Sequence, residues 1–181
     1  MRTNIVFTLT GPDRIGIVEA VTGLVLDHDG NVETSRMARL GGEFAVLMLI
    51  SLPQERLAGL EAETAVLEEK GYRVSISRTG KSYADVHHGW FPFRIEVHGA
   101  DHEGIIHEIA HYLSKCGINI ESMDTGTVRA PVSGAPLFSM IALVTVPPDL
   151  VGQGWESDLE KVGHGLNVDV KVTEVTGKHL Q

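Results

Sequence analysis

One eight-residue motif occurs twice in this chain. Gly11-Pro12-Asp13-Arg14-Ile15-Gly16-Ile17-Val18 recurs 88 residues later as Gly99-Ala100-Asp101-His102-Glu103-Gly104-Ile105-Ile106, and Asn31-Val32-Glu33 recurs at the same interval as Asn119-Ile120-Glu121. Two motifs repeated in register mean two copies of one structural unit, which narrows the possible folds more than any single motif could. Farther along, Phe44, Pro53 and Gly71 meet Phe138, Pro147 and Gly165 at an interval of 94, so the second copy holds six extra residues. They fall near Arg129–Pro136, a Pro/Gly-rich stretch that reads as a lengthened hairpin loop. The 181 residues leave about 90 for each copy, a size with only a modest core of its own.

Both copies show the same succession of hydrophobic periods. Residues 4–10 and 93–98 are β-rich, the second alternating apolar and polar as a strand with one covered face does. Ile17, Val18, Val21, Leu24 and Val25, like Ile105, Ile106, Ile109 and Leu113, follow at helical spacing, with Asp13 and Asp101 placed to cap the first turn. Strands at 31–40 and 43–52 flank Gly41-Gly42, a hairpin signal, and their counterparts are 119–129 and 137–146. A second helix is expected after Pro53, through Leu57, Leu60, Ala65, Val66 and Leu67, and after Pro147-Pro148, through Leu150, Trp155, Leu159 and Val162. Glycine stops each one before a last alternating strand, containing Tyr72, Val74 and Ile76 or Leu166, Val168 and Val170.

The order β-α-β-β-α-β is the ferredoxin-like arrangement, an α+β unit whose two helices cover one face of a four-stranded antiparallel sheet. Two tandem domains are therefore expected, at 1–80 and 93–176, joined by a linker at 81–92 and packed as a pseudo-twofold pair through sheet faces or edges. In the linker, His87-His88 beside Trp90-Phe91-Pro92 reads as aromatic anchorage between the domains, or else as a spot for a partner. Sheet edges left free at each end favour a homodimer.

Lys plus Arg number 15 against 24 Asp plus Glu, a formal charge of -9 that leaves no excess of cations for phosphates or an anionic membrane surface. Neither direct nucleic-acid binding nor membrane association is expected, and the aromatic and basic strand motif of ferredoxin-like RNA binders is missing. The single cysteine, Cys116, reads as a small buried residue and fits a reducing, cytoplasmic setting. The start of the chain lacks the pattern of a signal peptide, and no stretch approaches the ~20 apolar residues of a membrane helix.

The pattern of strand, Gly-x-Asp-x-x-Gly-Ile-Val or its variant, helix, and Asn-Val/Ile at the next strand is similar to the ACT domain, a small amino-acid-binding regulatory module. The run Asn31-Val-Glu-Thr-Ser-Arg36-Met-Ala-Arg-Leu-Gly41-Gly-Glu-Phe44 resembles more narrowly the glycine cleavage system transcriptional repressor family of tandem ACT proteins. The resemblance covers about residues 3–176. It implies regulation without catalysis, in which such a protein holds a DNA-binding activator inactive by direct contact and glycine is the signal. Many relatives have proline after the Asp-Arg pair where this chain has Ile15, and the second copy reads Asp101-His102-Glu103-Gly104. The second site is therefore expected to have diverged in what it binds, or to bind nothing.

A free amino acid offers a carboxylate and an ammonium group. The turn Asp13-Arg14-Ile15-Gly16 opens a helix whose free amides and dipole favour an anion, while Gly16 lets a ligand or backbone approach and Asn31 supplies both donor and acceptor. The corresponding set is Asp101, His102, Gly104 and Asn119, and the resemblance places ligands between paired domains, so each pocket can draw on the other copy. The same residue types also serve ordinary caps and turns. The expected effector is glycine or serine, with no other cofactor. Ser35, Arg36 and Glu43 on the central hairpin read as a solvated strand face or as the contact for a protein partner, either a transcription activator or an amino-acid metabolic enzyme.

His107-Glu108-Ile109-Ala110-His111 matches the H-E-x-x-H pattern of zinc hydrolases. With Ile105, Ile109 and Leu113 defining the buried side, both histidines point away from the core, and no third ligand follows at a suitable spacing. Neither a catalytic residue nor a catalytic metal is therefore expected, and surface metal binding is the milder reading.

Overall fold

The computed structural model describes residues 1–79, 88–130 and 134–175. The first of its two units holds β1 (Arg2–Pro12), α1 (Ile17–Asp27), β2 (Asn31–Leu40), β3 (Glu43–Pro53), a 3-10 turn (Gln54–Arg56), α2 (Leu57–Glu63), α3 (Ala65–Glu69) and β4 (Arg73–Thr79). The second holds β5 (Phe91–Ala100), α4 (Ile105–Lys115), β6 (Asn119–Arg129), β7 (Pro136–Val146), α5 (Trp155–Gly165) and β8 (Val168–Glu174). Their antiparallel sheets have orders β2-β3-β1-β4 and β6-β7-β5-β8. This is the ferredoxin-like α+β unit, twice.

Each core lies between one sheet face and its helices. Ile5, Phe7 and Leu9 of β1 meet Ile17, Val21 and Val25 of α1, and Ile95 and Val97 of β5 meet Ile105, Ile109 and Leu113 of α4. Val18 and Ile106, placed on the same stripe by spacing, are instead partly exposed at its edge. β1 outruns the expected 4–10 because backbone pairing with β3 continues from Arg2↔Pro53 to Pro12↔Glu43. β5 likewise starts at Phe91, so Phe91 and Pro92 pair with Val146 and Thr145 and are strand residues. Linker residues 81–87, His87 among them, lie outside the described residues, as do residue 176 and insertion residues 131–133.

The second helix of the first unit departs from expectation. It divides at Thr64, whose buried hydroxyl donates to the Glu61 carbonyl at 2.7 Å. This local bond is one that bends helices. Leu57, Leu60, Thr64 and Leu67 face the core, while Ala65 and Val66 are exposed. Both β2 and β6 also carry a bulge, at Glu33 and at Glu121, which shifts the pairing from Val32↔Ile50 to Thr34↔Leu49 and from Ile120↔Val144 to Ser122↔Leu143.

Candidate functional site

The repeated motif forms the loop between β1 and α1, and again between β5 and α4. Its second glycine owes its place to backbone shape. Gly16 and Gly104 precede the helices at φ 90° and 96°, where an L side chain is strained, and a Cβ on either would meet nothing within 4 Å. Close approach belongs to the first glycine instead. A Cβ on Gly11 would lie 2.6 Å from Cδ1 of Tyr72, and one on Gly99 would lie 2.7 Å from Cγ1 of Val168.

Asp13 and Asp101 do not cap the helices. Gly16 and Gly104 are the cap residues, without any side-chain capping bond, because the left-handed glycine separates each aspartate from the first turn. Each aspartate turns toward its neighbouring strand instead. Asp13 Oδ2 lies 3.8 Å from Arg39 Nη1, and Thr127 Oγ1 donates to Asp101 Oδ2 at 3.2 Å. Arg39 and Thr127 are themselves 88 residues apart, so both copies make this tie from the same position. The backbone repeats it, with Asp13 N–H donating to the Gly42 carbonyl at 3.0 Å and Asp101 N–H to Pro136 at 3.1 Å.

Arg14 and His102 close the other side of the loop. The Arg14 guanidinium sits over the Tyr72 ring at 5.8 Å, a cation–π contact. At the matching place, His102 Nε2 lies 2.7 Å from the Leu166 carbonyl and its Nδ1 lies 2.9 Å from the Glu103 carbonyl. Carbonyl oxygens only accept, and a neutral imidazole has only one N–H, so both bonds together require the imidazolium. The Leu166 carbonyl, then that of Glu103, accordingly hold the His102 proton above the usual imidazole range. Thus one copy secures its loop with a permanent cation and the other with a titratable one.

Asp101, His102 and Gly104 border a cavity of about 600 Å³ with Ile105, Ile106 and Phe138 on its apolar side. On the first unit a cavity of about 590 Å³ lies at the corresponding end of the sheet, bordered by Thr10, Ala38, Ala45, Leu40, Glu43 and Arg73. Ile15, at the tip of the first loop, is fully exposed. A lone exposed isoleucine is an apolar contact offered to solvent.

Asn31 does not join Asp13–Gly16 within its own unit. It lies beyond the other end of α1, whose 11 residues span about 16 Å. There it pairs across the ladder with Ser51 and donates from Nδ2 to Glu33 Oε1 at 3.0 Å. Asn119 begins β6 in the same way, opposite Thr145. Ser35, Arg36 and Glu43 do not form one patch either. After the bulge, Ser35 pairs with buried Met48 and turns to the helix side, whereas Arg36 and Glu43 turn to the outer face from opposite parts of the hairpin.

His107 and His111 are exposed on α4, opposite the buried Ile105, Ile109 and Leu113, with parallel rings 6.0 Å apart and 9° from coplanar orientation. Among the described residues no group of three or more His, Cys, Asp or Glu is arranged to hold a metal. Cys116 is half-buried and its backbone N–H donates to the Tyr112 carbonyl at 3.1 Å, while the Tyr112 hydroxyl donates to the Trp155 carbonyl at 2.9 Å and is pushed upward in pKa chiefly by burial.

The family model described as ACT domain matches residues 3–76. Among solved structures, a protein of unknown function from Galdieria sulphuraria is 31% identical, with a TM-score of 0.81, over 97% of this chain and 100% of that one. A protein designated a glycine cleavage system transcriptional repressor is 21% identical, with a TM-score of 0.71, over 98% of this chain and 99% of that one, a likeness of fold. No curated protein sequence matches the chain. The match over residues 3–76 and the same topology in the second unit lead to one conclusion: the first unit is an ACT domain, and the second repeats its fold.

Proposed function

We propose that this chain is a non-catalytic sensor of a small amino acid, glycine or serine, and that it regulates transcription by contact with a DNA-binding activator. The observation that carries the reading is the paired loop. In both copies a short turn at a helix N-terminus is secured on one flank by its aspartate and on the other by the side chain that follows, and the second loop borders a cavity. Helix amides and the positive end of the helix dipole suit a carboxylate. The ligand residues proposed are Asp13, Arg14, Ile15, Gly16 and Asn31 with Asp101, His102, Gly104 and Asn119. Asn31 stands at the far end of α1 from its own loop.

The transcriptional role rests on the resemblance of residues 31–44 to the repressor family and on the neighbouring fold that carries that designation. A net charge of -9 suits contact with a cationic partner better than contact with DNA. Arg36 and Glu43, exposed on the first hairpin, are the proposed contact, with Ser35 beside them on the opposite face. The cytoplasm is the proposed location, and no helix among the described residues is long and apolar enough to cross a membrane.

Co-isolation of the tagged full chain from its own cells, with and without added glycine or serine, tests this reading. Recovery of a DNA-binding activator whose yield changes with the amino acid, and falls in an Arg36→Glu variant, is the expected result. An amino-acid metabolic enzyme in its place would assign the chain to enzyme regulation. A set of bound proteins indifferent to every amino acid would remove the sensor reading.

A further inference from the structure

The helix pair His107 and His111 is left unused by the reading above, yet its chemistry is specific. The residues stand one turn apart on α4, both exposed, and their rings already lie nearly parallel at 6.0 Å. Among the described residues neither ring has a hydrogen-bond or ion-pair partner, so no protein contact competes for their nitrogens. We propose that His107 and His111 form a two-imidazole chelate for a divalent transition-metal cation, copper, nickel or zinc, on the outer face of α4.

Imidazole nitrogen is a preferred ligand for these ions, at metal–nitrogen distances near ~2.0–2.1 Å. A tetrahedral pair of such bonds sets the two nitrogens about 3.4 Å apart. The helical rise brings side chains at i and i+4 to neighbouring positions, and rotation of two exposed rings about their own torsions supplies the remaining approach. Chelation cross-links consecutive turns, so the ion binds the folded helix better than the unfolded chain and stabilises it. The negative net charge of the protein lowers the cost of bringing a cation to this surface. Lys115, one further turn along, is the opposing charge on the helix.

Two protein ligands leave the other positions to water, which distinguishes this site from a hydrolytic zinc centre with its three protein ligands. The first copy has Glu19 and Gly23 at the matching places, so only the second unit holds the pair. His107 also borders the cavity beside the second loop.

The test is calorimetric titration of the full chain, freed of metal by dialysis, with copper(II), nickel(II) and zinc(II) salts in turn, together with the unfolding midpoint at each ion. One equivalent is expected to bind and raise the midpoint, with copper tightest, as the ordinary order of divalent affinities requires. His107→Ala and His111→Ala should each weaken binding by at least about tenfold, the loss that even an outer-shell partner causes. His107→Gln provides a second variant that keeps the polarity, and His164→Ala should leave the affinity unchanged. Absence of saturable binding would overturn the proposal, and so would binding that survives in both alanine variants, which would make the ion adventitious on other histidines.

Discussion

At the scale of single residues, the two glycines of the motif have different work. Gly99→Ala would put a Cβ 2.7 Å from the Val168 side chain and 2.8 Å from its Cα, so backbone must move. A loss of about 1–3 kcal/mol is expected in urea unfolding, as for other overpacked sites. Gly16→Ala meets open space and is opposed only by its positive φ, so its cost should lie near the lower end of ~1–3 kcal/mol. The repeated spelling made both glycines conspicuous, but which was for packing and which for torsion depends on Tyr72 and Val168, some 60–70 residues away in the chain. The same distance hid the clasp of Arg14 on Tyr72 and of His102 on the Leu166 carbonyl. His102 carries a pH prediction of definite sign. Its folded pKa is raised above 6.5, so the stabilisation is complete below about that pH and is lost as the pH rises through the raised value. The unfolding midpoint of wild type should exceed that of His102→Ala at pH 5.5, and the difference should shrink by pH 8.5. A difference that grows with pH would contradict the imidazolium clasp.

At the scale of elements, the periods gave the order of strands and helices because each buries one face only. Ile105, Ile109 and Leu113 on α4 were legible for that reason. Ile109 is completely buried, and Ile109→Ala should cost about 2–5 kcal/mol, whereas exposed Glu108→Ala should stay within about 0.5 kcal/mol. Equal losses at the two positions in chemical denaturation would show that the stripe has been misassigned. Ends and irregularities were not legible. The bulges at Glu33 and Glu121 are backbone events with no side-chain signature, yet each turns the rest of its strand over. Ser35 thereby reaches the helix side and Arg36 the outer face, the reverse of what an uninterrupted alternation from Val32 gives. The core position of Thr64 was missed for another reason: its polarity ranked it below Ala65 and Val66, although its hydroxyl is satisfied within the helix.

At the scale of the whole molecule, the repeat carried most of the information. It supplied the topology, the place of the insertion and the correspondence of the two motif loops, since each copy repeats the other's pattern. It also showed which residues differ between the copies, but not what each of them contacts. Arg14 against His102, Arg39 against Thr127, and Glu19 and Gly23 against His107 and His111 keep the framework and change the chemistry. The most direct test is the unfolding midpoint of the full chain with each of the twenty amino acids at millimolar concentration, for wild type, Asn31→Ala and Asn119→Ala. Glycine or serine at 100 times its dissociation constant should add about 2.7 kcal/mol, and the shift should vanish in one of the two variants. A midpoint that none of the twenty amino acids moves would contradict amino-acid sensing.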